Sequence, residues 1–277
     1  MGFQLLNSDS FLSSYGIPSE GLMGHTFIGK IRLNDNSEVR AYLKLYPEEL
    51  QVGIHNRSLE NESIGYVLAD CCGLKVPLNA GYIQLKYDQI PNPPRWLPNQ
   101  DTIAWFSQDE GSESLGVFTG LKNGVDSKRF DHLVTLLIDQ EVNTAAVIAF
   151  DATINNTDRN PGNALVGSPW TLIDHGKIIG GESWSPSKLD AIKHLENKHN
   201  RFDLYIKTVS NNFKFKNSRF QSAKDQETKF QTGKNQFDHL LDIILYPNEQ
   251  VTADAIKDFV DVRITTMNSA AAIGLVV

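Results

Sequence analysis

Cysteine is almost missing from this chain of 277 residues: the two present, Cys71 and Cys72, are neighbours. A bond between adjacent cysteines is strained, so a disulfide framework is excluded. Two reduced thiols near a helix end fit a reducing, cytoplasmic compartment. Long apolar runs are missing too, and none approaches the ~20 residues that a membrane-spanning helix requires. The opening MGFQLLNSDSF has neither the basic start nor the long apolar core of a secretory signal. Met1-Gly2 followed by Ser8 does not fit the myristoylation spacing. No membrane span or anchor is expected. The seven histidines show no H-x-x-x-H spacing, which argues against a dedicated zinc site. There is no internal repeat.

What the chain does contain is ordinary for a globular protein, with 40% hydrophobic and 21% charged residues. Its length suffices for one large domain or two lobes. The formal charge of −7 sets the surface against anionic lipid and makes direct DNA binding unexpected. The charge is uneven, however. Residues 198–234 hold nine Lys and Arg, Lys214, Lys216, Arg219 and Lys224 among them, against three acids. Phe213, Phe215 and Phe220 interleave with these bases. Two readings stand: a docking face for an acidic partner such as RNA, with an RNA-associated protein as the substrate, or solvated helix faces with phenylalanines in the core.

Residues 25–33 and 38–45 alternate as two strands joined by a turn at Asn34-Asp35-Asn36. Apolar residues recur at helical spacing from about 58 to 72, and Gly73 stops the run. Short strands follow at 81–86 and 102–106, separated by the proline-rich loop 91–98. Beyond that the pattern is helical, at about 127–139, 143–154, 186–197, 200–213, 217–230, 235–245 and 252–270. The expected fold is therefore α+β and two-lobed: a small strand-rich lobe over 1–106 and a larger helical lobe over 107–277.

The stretch from Phe150 to Gly176, FDATINNTDRNPGNALVGSPWTLIDHG, carries the chemistry. Asp158 is followed five residues later by Asn163, and Asp174 ends a short apolar run. The runs 164–166 and 171–173 flank Gly167-Ser168-Pro169-Trp170, which is turn chemistry. A hairpin centred there places Asn163 and Asp174 opposite each other at its open end. An amide oxygen beside a carboxylate suits Mg²⁺, which takes the rest of its ligands from phosphates and water. Asp158, one loop earlier, is placed to orient or deprotonate a hydroxyl. An Asp base, then an Asn ligand, then a second metal-binding Asp is the part list of a kinase catalytic loop. The pattern predicts phosphoryl transfer from ATP.

The same residues resemble the HipA-like kinase family and, more distantly, the type II phosphatidylinositol 4-kinases. The segment INNTDRNPGNALV…LIDHG is similar to their catalytic and metal-binding loops. Residues 40–47, RAYLKLYP, resemble the strand carrying the ATP lysine, which implies that role for Lys44. Residues 60–77, ENESIGYVLADCCGLKVP, resemble the helix and strand that follow, which points to Asn61 and Glu62. The resemblance covers roughly residues 20–176. It implies ATP and Mg²⁺ as cofactors, a serine/threonine of a protein as acceptor, and a toxin role with an antitoxin or other regulatory partner. The strand-rich part begins almost at once, so the extra N-terminal subdomain of full-length HipA toxins is not expected. A lipid or small-molecule kinase and a nucleotide-binding pseudokinase are the alternatives.

Strand alternation projects Lys44 to the face opposite Leu43, where its ammonium can meet the α/β-phosphates. Glu62 is its candidate partner, with Glu60 a rival in the same turn. The segment 19–26, with Gly24 as its second glycine, sits where a phosphate-covering loop belongs, although its glycine spacing equally suits a plain connection. Ser19 and Thr26 are candidate self-phosphorylation sites. The backbone from Phe106 to Gln108 is the candidate hinge for an adenine edge, with plain core packing the alternative for Trp105-Phe106. Asp174-His175-Gly176 stands where most protein kinases have Asp-Phe-Gly; metal binding needs only the acid.

Overall fold

The alternating residues form β3 (His25–Arg32) and β4 (Glu38–Leu45), an antiparallel pair with Thr26 opposite Lys44 and Phe27 opposite Leu43. Their turn is closed by Asp35, whose Oδ1 accepts from the Ser37 N–H and hydroxyl, while Asn36 takes a φ of 66°. This computed structural model describes residues 2–18, 24–121, 126–156, 158–194, 200–209, 213–245 and 249–272. Ser19 lies outside them.

Two strands have too little alternation to be read from sequence: β1 (Phe3–Leu6) and β2 (Phe11–Gly16), in which only Leu6 is buried. With β7 (Ala80–Leu85) and β8 (Thr102–Gln108) they complete a six-stranded sheet in the order β1-β7-β8-β4-β3-β2. The β1–β7 pair is parallel and the others antiparallel. One face of the sheet buries Phe27, Ile31, Leu43, Leu45, Ile83 and Phe106, and Ile90 and Leu97 from the proline-rich connection pack into the same cluster. A small exposed ribbon, β5 (Glu49–Gln51) and β6 (Ile54–His55), leads into α1 (Ser58–Cys71).

The second, larger core joins α1 and Trp105 to the helices. These are α2 (Leu115–Phe118), α3 (Ser127–Asp139), α4 (Glu141–Thr153), α5 (Pro186–Ile192), α6 (Arg201–Val209), α7 (Phe213–Leu245), α8 (Gln250–Ile264) and α9 (Thr266–Ala272). The single helix expected over 252–270 is broken at Thr265, which takes an extended ψ of 140°. Among the described residues no single helix is long and apolar enough to cross a membrane.

The two helices expected at 217–230 and 235–245 are one, α7, of 33 residues. Its buried residues Phe215, Arg219, Ala223, Gln226, Phe230, Phe237, Leu240 and Leu241 keep helical spacing straight through Gly233. Gly233 is there for packing, not to end a helix: a Cβ on it would stand 2.9 Å from both Cβ and Sγ of Cys71 on α1. Gly→Ala inside a helix ordinarily stabilises by about 1 kcal/mol. Here the sign reverses, and Gly233→Ala is expected to cost about 1–3 kcal/mol through overpacking. Thermal denaturation of the variant checks this; a raised midpoint would show that the α1–α7 contact has slack.

Candidate active site

On β4, Leu43 and Leu45 point into the sheet core, so Lys44 must point the other way. There its Nζ meets Glu62 Oε1 at 2.7 Å and Asp174 Oδ1 at 3.0 Å. Desolvation disfavours the ammonium, but the charges of Asp174 and Glu62 outweigh it and hold the Lys44 pKa above its ordinary value. Glu62, 1% exposed, is saturated: Oε1 also accepts from the Tyr46 hydroxyl at 2.7 Å, and Oε2 accepts from the His175 N–H at 2.8 Å. Glu60 turns away to Arg57 and His55, so it is not the lysine's partner. Asn61, also buried, donates to the carbonyls of Gly176 and Gly181 and accepts from Trp184 Nε1. The acidic turn of α1 thus ties the strand that carries Lys44 to the segment that follows Asp174. Tyr46 gave no signal in the sequence.

The loop that carries Asp158 is organised by a residue that sequence reasoning passed over. Asp151, in the last turn of α4, is 0% exposed. It accepts from Asn156 Nδ2 at 3.0 Å, Asn200 Nδ2 at 2.7 Å, and Nε and Nη2 of Arg159 at 3.0 Å each. Its signal was present: a lone acid inside the apolar run AVIAFDA. Arg159 is likewise fully buried, and its Nη1 donates to the carbonyls of Asn163 at 2.5 Å and Ile173 at 3.1 Å. One guanidinium therefore fixes Asn163 and the residue before Asp174. Arg159 anchors the loop inward and does not face Asp158. Asn156 Oδ1 takes the Asp158 N–H, and the Asp158 carbonyl accepts from Asn160 and Asn163 Nδ2 at 3.0 and 2.9 Å. The Asp158 carboxylate, 32% exposed, lies 3.9 Å from Lys177 Nζ.

The hairpin exists as β9 (Ala164–Leu165) and β10 (Thr171–Leu172), but its register is one residue from the expected one. Leu165 pairs with Thr171 and Ala164 with Leu172, so Asn163 faces Ile173, not Asp174. The cause is Val166, whose N–H is drawn off to the Glu113 carbonyl, which leaves an odd-numbered loop. Asp174 lies just past the ladder with a φ of 60°. That left-handed conformation costs a non-glycine residue about 1–2 kcal/mol, offset here by the Lys44 and Glu62 contacts that flank it. Desolvation works against ionisation of Asp174, but the Lys44 ammonium outweighs it and holds the carboxyl below its ordinary value.

Asn163 and Asp174 carry the donor types that a hard divalent cation takes. Asn163 Nδ2 is committed to the Asp158 carbonyl, which leaves its Oδ1 for a cation; Asp174 gives one oxygen to Lys44 and keeps the other. Among the described residues no group of three or more His, Cys, Asp or Glu could hold a metal by protein ligands alone. Such a pair matches Mg²⁺, which relies on substrate phosphates and water to fill its shell.

His175 is a packing residue. Burial, then the positive charge of Arg159, push its pKa well below the ordinary value, so the ring is neutral. It sits edge-on to Phe150 and against Gly65, where a Cβ would come within 2.3 Å of its own.

Phe106 and Gln108 lie inside β8 between β4 and β7. The Phe106 side chain belongs to the sheet core, and the N–H groups of Gln108 and Asp109 are spent on the carbonyls of Asn79 and Arg40. These two N–H groups are therefore not open to an adenine edge, and the crossing to the helices begins only beyond Asp109. Gly24, with φ 73°, lies so close to β4 that a Cβ would be 2.6 Å from the Leu45 carbonyl oxygen. Thr26 stands opposite Lys44 on the neighbouring strand. In the basic stretch, Arg219 is buried on Asp203 at 2.5 Å and stacked over Phe215, itself a core residue. Arg219 is thus not part of a docking face.

A six-stranded sheet with α1 inserted before β7, a Lys44–Glu62–Asp174 ion-pair cluster and a mainly helical second half define a protein-kinase-like fold. The solved structure of a proinflammatory kinase of Helicobacter pylori, CtkA, is similar over 99% of this chain and 100% of that one, with a TM-score of 0.63 and 11% identity. A Golgi casein kinase is similar over 97% of this chain and 72% of its own, with a TM-score of 0.46 and 12% identity. No protein-family model matches the chain, and no curated protein matches it in sequence.

Proposed function

We propose that the protein is an ATP- and Mg²⁺-dependent phosphotransferase acting on a hydroxyl, most simply a serine or threonine of a protein. The observation that carries this is Lys44 Nζ held between Glu62 and Asp174. An ammonium fixed by one buried glutamate and one half-exposed aspartate is set to receive phosphate oxygens. Asn163 and Asp174 would hold the metal ion, which supplies charge neutralisation across the β- and γ-phosphates. Lys44 orients the α- and β-phosphates. Asp158 accepts the proton of the acceptor hydroxyl, and the buried Arg159 keeps Asp158, Asn163 and Asp174 in register. Positioning and electrostatics carry most of the rate.

The motif resemblance to HipA-like kinases supports a protein acceptor. An acidic chain whose basic stretch turns partly inward favours it over a lipid surface. Incubating the purified protein with γ-labelled ATP, Mg²⁺ and a cell extract is expected to place label on phosphoserine or phosphothreonine. Chelating the metal is expected to reduce transfer to background, because two protein oxygens cannot replace the ion. Absence of transfer in the presence of Mg²⁺ would sink the phosphotransferase reading, and label confined to a lipid extract would move the acceptor to a lipid.

A further inference from the structure

A lysine aimed at phosphate oxygens is only as well placed as the carboxylate that aims it. Of the two partners of Lys44, the Asp174 side chain is 45% exposed and, on the proposed function, is shared with the metal ion. The contact that must persist through turnover is therefore the one with Glu62, whose side chain is 1% exposed. Among the described residues three donors reach the Glu62 carboxylate. The Lys44 ammonium and the Tyr46 hydroxyl both meet Oε1 at 2.7 Å, and the His175 N–H meets Oε2 at 2.8 Å. Without Tyr46, Oε1 would be held only by the lysine it is meant to aim. We propose that Tyr46 is a positioning residue whose hydroxyl fixes Glu62 and thereby sets the Lys44 ammonium for the phosphates of the nucleotide. This rests on the phosphotransferase reading above.

Tyr46 follows Lys44 by two residues, so its side chain leaves the chain on the same side, away from Leu43 and Leu45 in the sheet core. Burial, then the charges of Glu62 and Asp174, push its pKa well above the ordinary value, so the phenol keeps its proton and donates it. It is a neutral donor, and it steadies the carboxylate without bringing a second cation to compete with Lys44. The ring is seated between two glycines. A Cβ on Gly24 would stand 3.3 Å from Tyr46 Cδ1. A Cβ on Gly176 would stand 3.3 Å from the Tyr46 hydroxyl oxygen and 3.8 Å from Glu62 Oε1. Gly176 does not take a positive φ, so its backbone makes no demand for glycine. Its reason is space: the glycine of Asp174-His175-Gly176 leaves room for the hydroxyl that holds Glu62.

The test is a double-mutant cycle in the full chain with Mg²⁺: Tyr46→Phe, Gly176→Ala and the two together. Tyr46→Phe removes only the hydroxyl. It is expected to lower kcat about 10-fold, the scale of a lost hydrogen bond to a charged group, with KM for ATP within about threefold. Calorimetry adds a readout independent of turnover: affinities for ADP, with Mg²⁺ and with a chelator, and for the imido analogue of ATP are expected to stay within about threefold. Gly176→Ala crowds the hydroxyl and is expected to lower kcat about fivefold in the otherwise wild-type chain, but less than about twofold where Tyr46 is already Phe. A tyrosine that only fills space would not give that non-additivity. Wild-type kcat in Tyr46→Phe, a raised KM at unchanged kcat, or additive losses in the cycle would overturn the assignment while the active wild type keeps the phosphotransferase reading. If Tyr46→Phe does not fold, Gly176→Ala decides alone: wild-type kcat overturns the assignment, and a lowered kcat at unchanged KM supports it. A wild type that neither binds the analogue nor transfers label would overturn both.

Discussion

On the proposed function, Asp158→Ala is expected to slow turnover by about 10³-fold while leaving nucleotide affinity within about threefold, because Asp158 is there the proposed general base and makes no proposed phosphate contact. The structure makes this separation clean. The bonds that shape the loop come from the backbone of Asp158, its N–H to Asn156 and its carbonyl from Asn160 and Asn163, and alanine keeps all of them. Asp174→Ala is expected to behave differently. It deletes the proposed ligand of the metal ion and one of the two carboxylates on Lys44, so metal-dependent nucleotide binding and turnover should fall together. Calorimetric titration with the imido analogue, beside a turnover assay, reads both quantities. Normal turnover in Asp158→Ala would remove that residue from the catalytic assignment.

Asp151→Ala is expected to produce the largest loss of stability. It leaves the Arg159 guanidinium buried without its carboxylate and strips a hydrogen-bond acceptor from Asn156 and Asn200. Breaking a buried ion pair from one side costs about 3–5 kcal/mol. For a chain of this size that lowers the thermal midpoint by roughly 6–20 °C. Replacing both partners, as Asp151→Leu with Arg159→Met, removes the unpaired charge and should recover much of the stability. It should not recover turnover, since nothing then draws the Asn163 and Ile173 carbonyls together. Differential scanning calorimetry on the single and double variants, with activity measured on each, distinguishes the two contributions. A single variant as stable as the wild type would mean that the loop is held by other contacts.

Much of this was legible because local patterns and tertiary demands agreed. Alternation in β3 and β4 reported a half-buried sheet, and the same alternation put Lys44 on the cleft side. The Asp158, Asn163 and Asp174 spacing reported a loop followed by a hairpin, and both are present. Where reading failed, a long-range contact had overridden a local one. The hairpin register slipped because Val166 bonds to Glu113, some fifty residues earlier in the chain. The helix expected to stop at 230 runs on through Gly233, whose packing partner lies on another helix, at Cys71. Arg219 looked like surface charge or part of a docking face, and only packing shows that it is buried on an aspartate. The strands β1 and β2 bury too little on either face to leave a period-two signal.

Helix α1, which carries Glu62, is enclosed on almost every side: eleven of its fourteen residues are buried. Withdrawing it from the cleft would expose Ile64, Val67 and Leu68 and tear the seat between Cys71 and Gly233. Exposing three such side chains alone costs about 5–9 kcal/mol. A ligand needs only about 5.5 kcal/mol of differential affinity to invert a two-state population, so even an effective switch would be nearly exhausted by moving this one element. The glutamate end of the Lys44 ion pair is therefore a fixed post and not a lever. Control of this chain has cheaper purchase at the loop of Asp158, whose carboxylate is 32% exposed.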